Sequence, residues 1–207
     1  GSVEVVCGSM FSGKTEELLR RVKRAQIGRL KVQVFKPQID TRYSAEYVQS
    51  HDASRILSIP VEKAADILGR VDDNTRVVGI DEAQFFDDGI VDVSQKLAYR
   101  GIRVIVAGLD MDFRGLPFGP MPKLLAIEYT LTKLQAVCLF CGGSDSLTQR
   151  TASPPGHETD RVLVGAQEMY EPRCRFCHEP DGAGVLAQAM GLPASNHPDG
   201  THQSRLG

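Results

Sequence analysis

One eight-residue segment near the start of the chain constrains the fold more than any other. It reads Gly8-Ser9-Met10-Phe11-Ser12-Gly13-Lys14-Thr15 and fits the pattern G-x-x-x-x-G-K-[ST] in full. A short apolar run precedes it and a helical pattern follows it, which is the expected setting. Glycines there let backbone N–H groups face phosphate oxygens, and the helix adds the positive end of its dipole. We therefore predict a nucleoside triphosphate site, with Lys14 at the β- and γ-phosphates and Thr15 on Mg²⁺.

Strand-like and helix-like segments alternate over the first 132 residues. The strand candidates are 3–7, 31–35, 76–81 and 103–109, and the helix candidates are 15–27, 61–68 and 88–99. This alternation is typical of βαβ crossovers and of a parallel sheet covered by helices on both faces. We predict an α/β fold of the phosphate-loop (RecA-like) type in residues 1–132. The periodicity fades beyond that point, and residues 179–207 have the composition of a disordered tail.

The third strand candidate ends in two carboxylates, Asp81 and Glu82. Ligands of parallel α/β sheets bind at the carboxyl ends of the strands. We expect Asp81 to hold Mg²⁺, directly or through water, and Glu82 to act as a general base. The alternative is a surface acid pair at the start of a loop. Phe85 and Phe86 come next, and at most one of them is expected to line a pocket.

Four of the five cysteines form two hooks, Cys138-x-x-Cys141 and Cys174-x-x-Cys177, with 32 residues between them. Each hook supplies two thiolates at the spacing that one metal ion requires, so we predict a closed, structural Zn²⁺ site in a small domain over residues 133–178. The run from Cys174 to His178 also fits a haem attachment motif, but that reading leaves the first hook unexplained. His178 is a conceivable substitute ligand, although four cysteines leave no vacancy.

Composition excludes few functions but weakens some. With 24 basic and 26 acidic side chains, the net charge is −2, so the chain lacks the overall basic character of a nucleic-acid binder. No apolar run is long enough to cross a bilayer and no segment resembles a signal peptide. We expect a cytoplasmic protein without a nucleic-acid or membrane partner.

Several short motifs occur together in one order between residues 3 and 178. They are the phosphate loop, Asp40-Thr41-Arg42-Tyr43, Asp81-Glu82-Ala83-Gln84-Phe85-Phe86, Leu109-Asp110 followed by Phe113, Pro117-Phe118-Gly119, and the two cysteine hooks. The ordered set resembles the type II thymidine kinases. That resemblance implies transfer of the γ-phosphoryl group of ATP to the 5′-hydroxyl of thymidine, with Glu82 as the base. It also implies a homotetramer and feedback inhibition by dTTP.

The resemblance also implies which residues form the site. ATP would contact the phosphate loop together with Asp40, Arg42, Asp81 and Gln84, and Arg42 is the candidate for stabilising charge in the transition state. The segment between the hooks would close over the nucleoside like a lasso. The residues implied for the nucleoside site are Met10, Phe85, Leu109, Phe113, Phe118, Thr148, Arg161, Val162, Leu163, Val164, Gly165 and Tyr170.

Two other readings stay open from the sequence. One is a phosphate-loop ATPase that acts on nucleic acid through a zinc ribbon, since Arg150, Arg161, Arg173 and Arg175 lie near the hooks. The acidic pI and the low aromatic content, 6%, argue against it. The other is a nucleotide sensor without catalysis, for which Glu82 would be dispensable.

Overall fold

The computed structural model describes residues 1–38, 57–144, 146–151 and 169–179. Its elements, in chain order, are β1 (Ser2–Gly8), α1 (Lys14–Ile27), β2 (Val32–Pro37), β3 (Ser58–Val61), α2 (Asp66–Arg70), β4 (Val77–Ile80), a short 3₁₀ turn (Ala83–Phe85), α3 (Gly89–Tyr99), β5 (Arg103–Gly108), α4 (Met121–Ile127), β6 (Thr130–Leu134), β7 (Ser146–Arg150) and β8 (Tyr170–Cys174). No helix in these ranges combines the length and the apolar character that a membrane span requires.

The first six strands form one sheet in the order β3-β2-β4-β5-β1-β6. All five neighbouring pairs are parallel; Val5 of β1, for example, pairs with Val106 of β5 on one side and Leu131 of β6 on the other. This confirms the predicted parallel α/β sheet. Because β4, β5 and β1 are neighbours, the segments that follow them leave the sheet at the same edge.

The two faces of the sheet bury different sets of side chains. Val5 and Ile80 pack with α2, α3 and α4 in one apolar cluster, whereas Val6 packs with Leu18 and Val22 of α1 in the other. Successive strand residues point to opposite faces, so a β-branched run such as residues 3–6 can supply both clusters at once. Helices therefore cover both faces, as the alternating pattern predicts.

The helix predicted over residues 61–68 exists, but its predicted bounds are wrong, because it spans Asp66–Arg70. Val61 ends strand β3, and the helix begins only at Asp66. Pro60 lies within β3, and a proline without an N–H is tolerated there because β3 is at the edge of the sheet. Because proline is rare in strands, the sequence did not indicate a strand here, and the spacing of the apolar residues around Pro60 favoured a helix.

Strand β6 lies across the domain boundary predicted at residue 132. It pairs with β1 through Leu134, so the sheet extends two residues further than expected. The guanidinium of Arg21 fixes this edge, since it donates to Glu17 on its own helix, to Glu4 on β1 and to Thr132 on β6, each over 2.8 Å. The helix and two strands beside the phosphate loop are thus tied by one side chain.

Strands β7 and β8 form a separate antiparallel hairpin that carries the cysteine hooks. Ser146 pairs with Cys174 at one end and Arg150 with Tyr170 at the other. The Gln149 amide also holds Glu179 through two 2.7 Å hydrogen bonds, so the first residue of the predicted tail is fixed to the hairpin. The rest of that tail and the centre of the predicted lasso lie outside the described residues.

Candidate active site

The phosphate loop runs from the end of β1 into α1, as its sequence requires. Gly8 has φ +148° and Gly13 has φ +85°, and a Cβ atom at Gly8 would lie 2.3 Å from the carbonyl oxygen of Leu134. Only glycine fits that position, because the obstacle is backbone. Gly13 occupies the turn immediately before the first residue of α1. Exposed helix N–H groups and their dipole therefore face the loop.

Lys14 is folded back onto its own loop. Its Nζ donates to the carbonyl oxygen of Ser9 over 2.6 Å, and the Ser12 hydroxyl donates to the same oxygen over 2.8 Å. Burial lowers the pKa of Lys14, and the nearby carboxylates of Glu82 and Asp81 partly offset that effect. The half-buried ammonium of Lys14 is well placed to exchange a carbonyl for phosphate oxygens.

Thr15 and Asp81 meet although 66 residues separate them. The Thr15 hydroxyl donates to the Asp81 carboxylate over 3.1 Å. Burial and the neighbouring Glu82 carboxylate raise the pKa of Asp81 to about 6. One hydroxyl and one carboxylate at the mouth of a phosphate loop are the oxygen ligands that Mg²⁺ prefers, and a cation there would favour ionised Asp81. The residues present therefore fit a magnesium ion bound with the triphosphate.

Glu82 has an unusual backbone. Its φ is +52°, in the left-handed region that costs a non-glycine residue about 1–3 kcal/mol. Its N–H donates to Asp81 over 3.0 Å, and its exposed carboxylate accepts a 2.5 Å hydrogen bond from the Gln84 amide. Strain of this kind recurs where a reactive group must be held in place.

Aromatic and apolar side chains form a wall beside these carboxylates. Leu109, Phe113 and Phe118 are all at most 9% exposed. Phe85 meets the Phe118 ring edge to face, with 5.6 Å between the centroids. Such pairs have a defined geometry, so the wall can present a fixed surface to a flat ligand.

The hairpin closes onto this wall from the other side. Thr148 is buried, and its hydroxyl accepts a 3.0 Å hydrogen bond from the N–H of Met10 in the phosphate loop. Tyr170, half-buried, pairs with Arg150 on the adjacent strand. Met10, Thr148 and the aromatic wall are thus brought together, whereas Asp40, Arg42 and the segment Arg161–Val162–Leu163–Val164–Gly165 lie outside the described residues.

Two residues of this region were missed as site residues by the sequence analysis. The guanidinium carbon of Arg150 lies 3.7 Å from the centre of the Phe113 ring, in a buried setting where a cation–π contact is strong. His178 Nε2 lies 2.8 Å from the Phe113 carbonyl oxygen and 3.2 Å from that of Thr148. Carbonyl oxygens only accept, so Nε2 carries the proton. The position of His178 directly after a cysteine hook was the signal available for it.

The four hook cysteines converge at one point. Their sulfur atoms all lie within 4.8 Å of one another, and Cys141 Sγ lies 3.6 Å from Cys174 Sγ. Four thiolates around a tetrahedral Zn²⁺ at about 2.3 Å are about 3.8 Å apart, so the cluster fits that ion. Both hooks turn tightly, with Gly142 donating to Cys138 and Cys177 donating to Cys174.

Proton affinities within the cluster are uneven. Burial alone would raise the pKa of Cys138, but backbone hydrogen bonds from Cys174 and Cys141 outweigh it and lower that pKa to about 6. Burial and hydrogen bonds with the neighbouring thiols raise the pKa of Cys177 to about 12. A dication would remove this imbalance, because each sulfur then faces a positive charge instead of other sulfurs.

Comparison with known proteins agrees with these features. The family model described as thymidine kinase matches residues 1–178, which include the phosphate loop, the acidic strand end and both cysteine hooks. Among solved structures, the flagellar accessory protein FlaH from Methanocaldococcus jannaschii is similar at 14% identity and a TM-score of 0.47, over 69% of this chain and 74% of that one.

Proposed function

The chain belongs to the thymidine kinase family, and on that premise we propose that Glu82 is the base in transfer of the ATP γ-phosphoryl group to the thymidine 5′-hydroxyl. The observation that carries this proposal is the arrangement at three adjacent strand ends. The phosphate loop follows β1, the Asp81–Glu82 pair follows β4 and the apolar wall begins after β5. Donor site, base and acceptor wall therefore share one crevice.

In the proposed reaction the 5′-oxygen attacks the γ-phosphorus while its proton passes to the Glu82 carboxylate. The bond from the γ-phosphorus to the bridging β–γ oxygen breaks, and ADP leaves with that electron pair. Lys14 exchanges the Ser9 carbonyl for phosphate oxygens, and loop N–H groups hold the β-phosphate. Thr15 and Asp81 would hold a Mg²⁺ ion, which would supply positive charge against the negative charge of the triphosphate. Positioning of the reactants and stabilisation of the charge in the transition state therefore supply most of the rate enhancement.

The acceptor is an uncharged nucleoside, so no ion pair can recognise it. Recognition must therefore come from enclosure of its nucleobase. We infer that Met10, Phe85, Leu109, Phe113, Phe118, Thr148 and Tyr170 supply the described part of that enclosure. The hairpin positions Thr148 and Tyr170. A structural Zn²⁺ in the cysteine cluster would anchor the end of the hairpin at which Ser146 pairs with Cys174. A closed site also keeps out water, the competing phosphoryl acceptor. Deoxyuridine, which lacks one methyl group, should be a poorer but tolerated substrate.

Three broader properties follow from family membership as proposals. They are a homotetrameric assembly, feedback inhibition by dTTP at the active site, and a cytoplasmic location. Light scattering on the purified chain measures the first, and inhibition kinetics with dTTP against ATP and thymidine measure the second. Imaging of the tagged protein in cells measures the third.

The test of the proposed function is direct. The zinc-loaded protein is incubated with ATP, Mg²⁺ and each of the four deoxynucleosides, and the products are analysed for a 5′-monophosphate. We expect product from thymidine, and we expect Glu82→Gln to bind ATP normally while losing about 10²- to 10⁴-fold in turnover. Glu62→Gln is the matched control, because Glu62 is an exposed acid directly after the edge strand β3. Normal turnover in Glu82→Gln would remove Glu82 from the role of base.

The nucleic-acid ATPase is the second candidate, and the family match counts against it because it covers the cysteine hooks as well as the phosphate loop. The proposed enzyme should hydrolyse little ATP without a nucleoside, and single-stranded DNA should not change that rate. Strong, salt-dependent stimulation by DNA would favour the ATPase.

A further inference from the structure

The Gln84 side chain is buried between the acidic strand end and the apolar wall. It is 3% exposed. Its Nε2 donates to the Glu82 carboxylate over 2.5 Å, and its Oε1 accepts from the backbone N–H of Leu109 over 2.9 Å. One amide therefore joins the end of β4 to the end of β5, with both of its polar ends used.

The orientation of this amide is fixed by its partners. A carboxylate can only accept and a backbone N–H can only donate, so an amide turned by 180° would place oxygen against Glu82 and NH₂ against the Leu109 N–H. Both contacts would then be repulsive. The hydrogen-bond chemistry thus determines which end of Gln84 faces the carboxylate.

The surroundings leave Gln84 no room to move. A Cβ atom at Gly108 would lie 2.9 Å from Gln84 Oε1 and 2.7 Å from Met121 Sδ. A Cβ atom at Gly119 would lie 2.3 Å from the Gln84 carbonyl oxygen. Two glycines from different segments are needed where this residue packs, so its place is specified by backbone as well as by hydrogen bonds.

Glu82, by contrast, is exposed and has few constraints of its own beyond its backbone. An exposed glutamate samples several rotamers, and only some of them would bring the carboxylate to an acceptor hydroxyl. A buried donor with a fixed position removes that freedom. Because the same amide holds Leu109, it also relates the carboxylate to the wall on which the acceptor is proposed to lie.

We propose that Gln84 is a positioning residue for phosphoryl transfer, which orients the Glu82 carboxylate and sets its place relative to Leu109. This inference rests on the proposed function, in which Glu82 is the base. It differs from the contact with ATP that the family resemblance implies for Gln84. The two roles predict different kinetics, since a positioning residue changes turnover and leaves ATP affinity intact.

The experiment is a double-mutant cycle between Gln84→Leu and Glu82→Gln. We expect Gln84→Leu alone to lower kcat by about 10- to 100-fold, because displacing a general base by about 1 Å has an effect of that size. The dissociation constant of a fluorescent ATP analogue should change by less than about twofold. In the Glu82→Gln background the same substitution should lower the residual rate by less than about twofold, because the group it positions is already gone.

Two further variants make the cycle interpretable. Gln84→Glu has the same shape and keeps an acceptor for Leu109, but its carboxylate repels Glu82, so it should lose turnover even where Gln84→Leu folds poorly. Gln33→Leu is the matched control, because the Gln33 amide likewise bridges two groups, the Arg70 carbonyl and the Asp72 N–H, at the opposite end of the strands. It should leave kcat unchanged.

Three results would overturn the proposal. They are normal turnover in Gln84→Glu, a loss of ATP affinity as large as the loss in kcat, or an undiminished effect of Gln84→Leu in the Glu82→Gln background. A failure of the proposed function looks different, because Glu82→Gln alone would then turn over normally.

Discussion

The backbone N–H of Met10 donates to the hydroxyl of Thr148 over 3.0 Å, although 138 residues separate them. Met10 belongs to the loop proposed to hold the donor triphosphate, and Thr148 to the hairpin proposed to enclose the acceptor. The hydrogen bond therefore joins the two halves of the site. A change at Thr148 should be felt by both substrates.

We predict that Thr148→Val raises the KM for thymidine and for ATP together. Valine keeps the shape but removes the acceptor, so the part-buried Met10 N–H loses its partner at a cost of about 1 kcal/mol. Thr148→Ser keeps the hydroxyl and is the control, with an ATP KM close to that of the unaltered protein. The measurement is a matrix of initial rates over both substrates. An ATP KM unchanged in Thr148→Val would show that the two halves are independent.

The sequence predicts what local chemistry encodes. The phosphate loop is contiguous, and the meeting of Thr15 with Asp81 follows from the rule that parallel strand ends share an edge. The bridge from Gln84 to Leu109 could not be predicted in the same way, because an amide has no charge signature and its partner is a backbone group 25 residues away. Such contacts are settled by packing.

Two strands, β3 and β6, were not predicted from the sequence for a different reason. Strand β6 has exposed or half-buried residues throughout, and β3 contains Pro60. Both lie at the edges of the sheet, where one side of a strand has no neighbour and the buried, β-branched pattern weakens. The central strands, buried on both faces, were predicted because their apolar runs are continuous.

We predict one zinc per chain, lost in Cys174→Ser. Removal of one thiolate from a tetrahedral site costs most of the metal affinity, and the base of the β7–β8 hairpin then loses its anchor. The KM for thymidine should rise more than the KM for ATP. Metal analysis of freshly purified protein gives the stoichiometry. Cys7→Ala, at the cysteine buried in the core, is the control and should keep the metal.

Stability should depend on pH through the ion pairs of Arg21. The hydrogen bonds from Arg20, and also from Arg21, lower the pKa of Glu17 from 4.5 to about 2. A carboxyl with a lowered folded-state pKa stabilises the fold above its unfolded pKa and loses that effect as the pH falls towards the folded value. Arg21→Met should therefore lower stability by about 1 kcal/mol at pH 7.

That difference should shrink as the pH falls from about 5 towards 3, because the unaltered protein loses the same contribution there. Urea unfolding at a series of pH values measures it, with metal kept constant. Arg24→Met, an exposed arginine on the same helix, is the control. A difference between Arg21→Met and the unaltered protein that stays constant down to pH 3 would mean that packing of the Arg21 stem, rather than its charge, is responsible.

His178 should matter for the acceptor rather than for the metal. Its Nε2 donates to the carbonyl oxygens of Phe113 and Thr148, so it connects the second cysteine hook to the apolar wall. We predict that His178→Ala keeps one zinc per chain but raises the KM for thymidine by about tenfold, since two buried carbonyls lose a shared donor. ATP affinity should be nearly unchanged, because within the described residues the His178 ring bonds to Phe113 and Thr148 and not to the phosphate loop. Arg175→Ala, in the same hook, is the control for local disturbance. Loss of zinc in His178→Ala would instead make the imidazole a metal ligand, and one of the four thiols would then need another role.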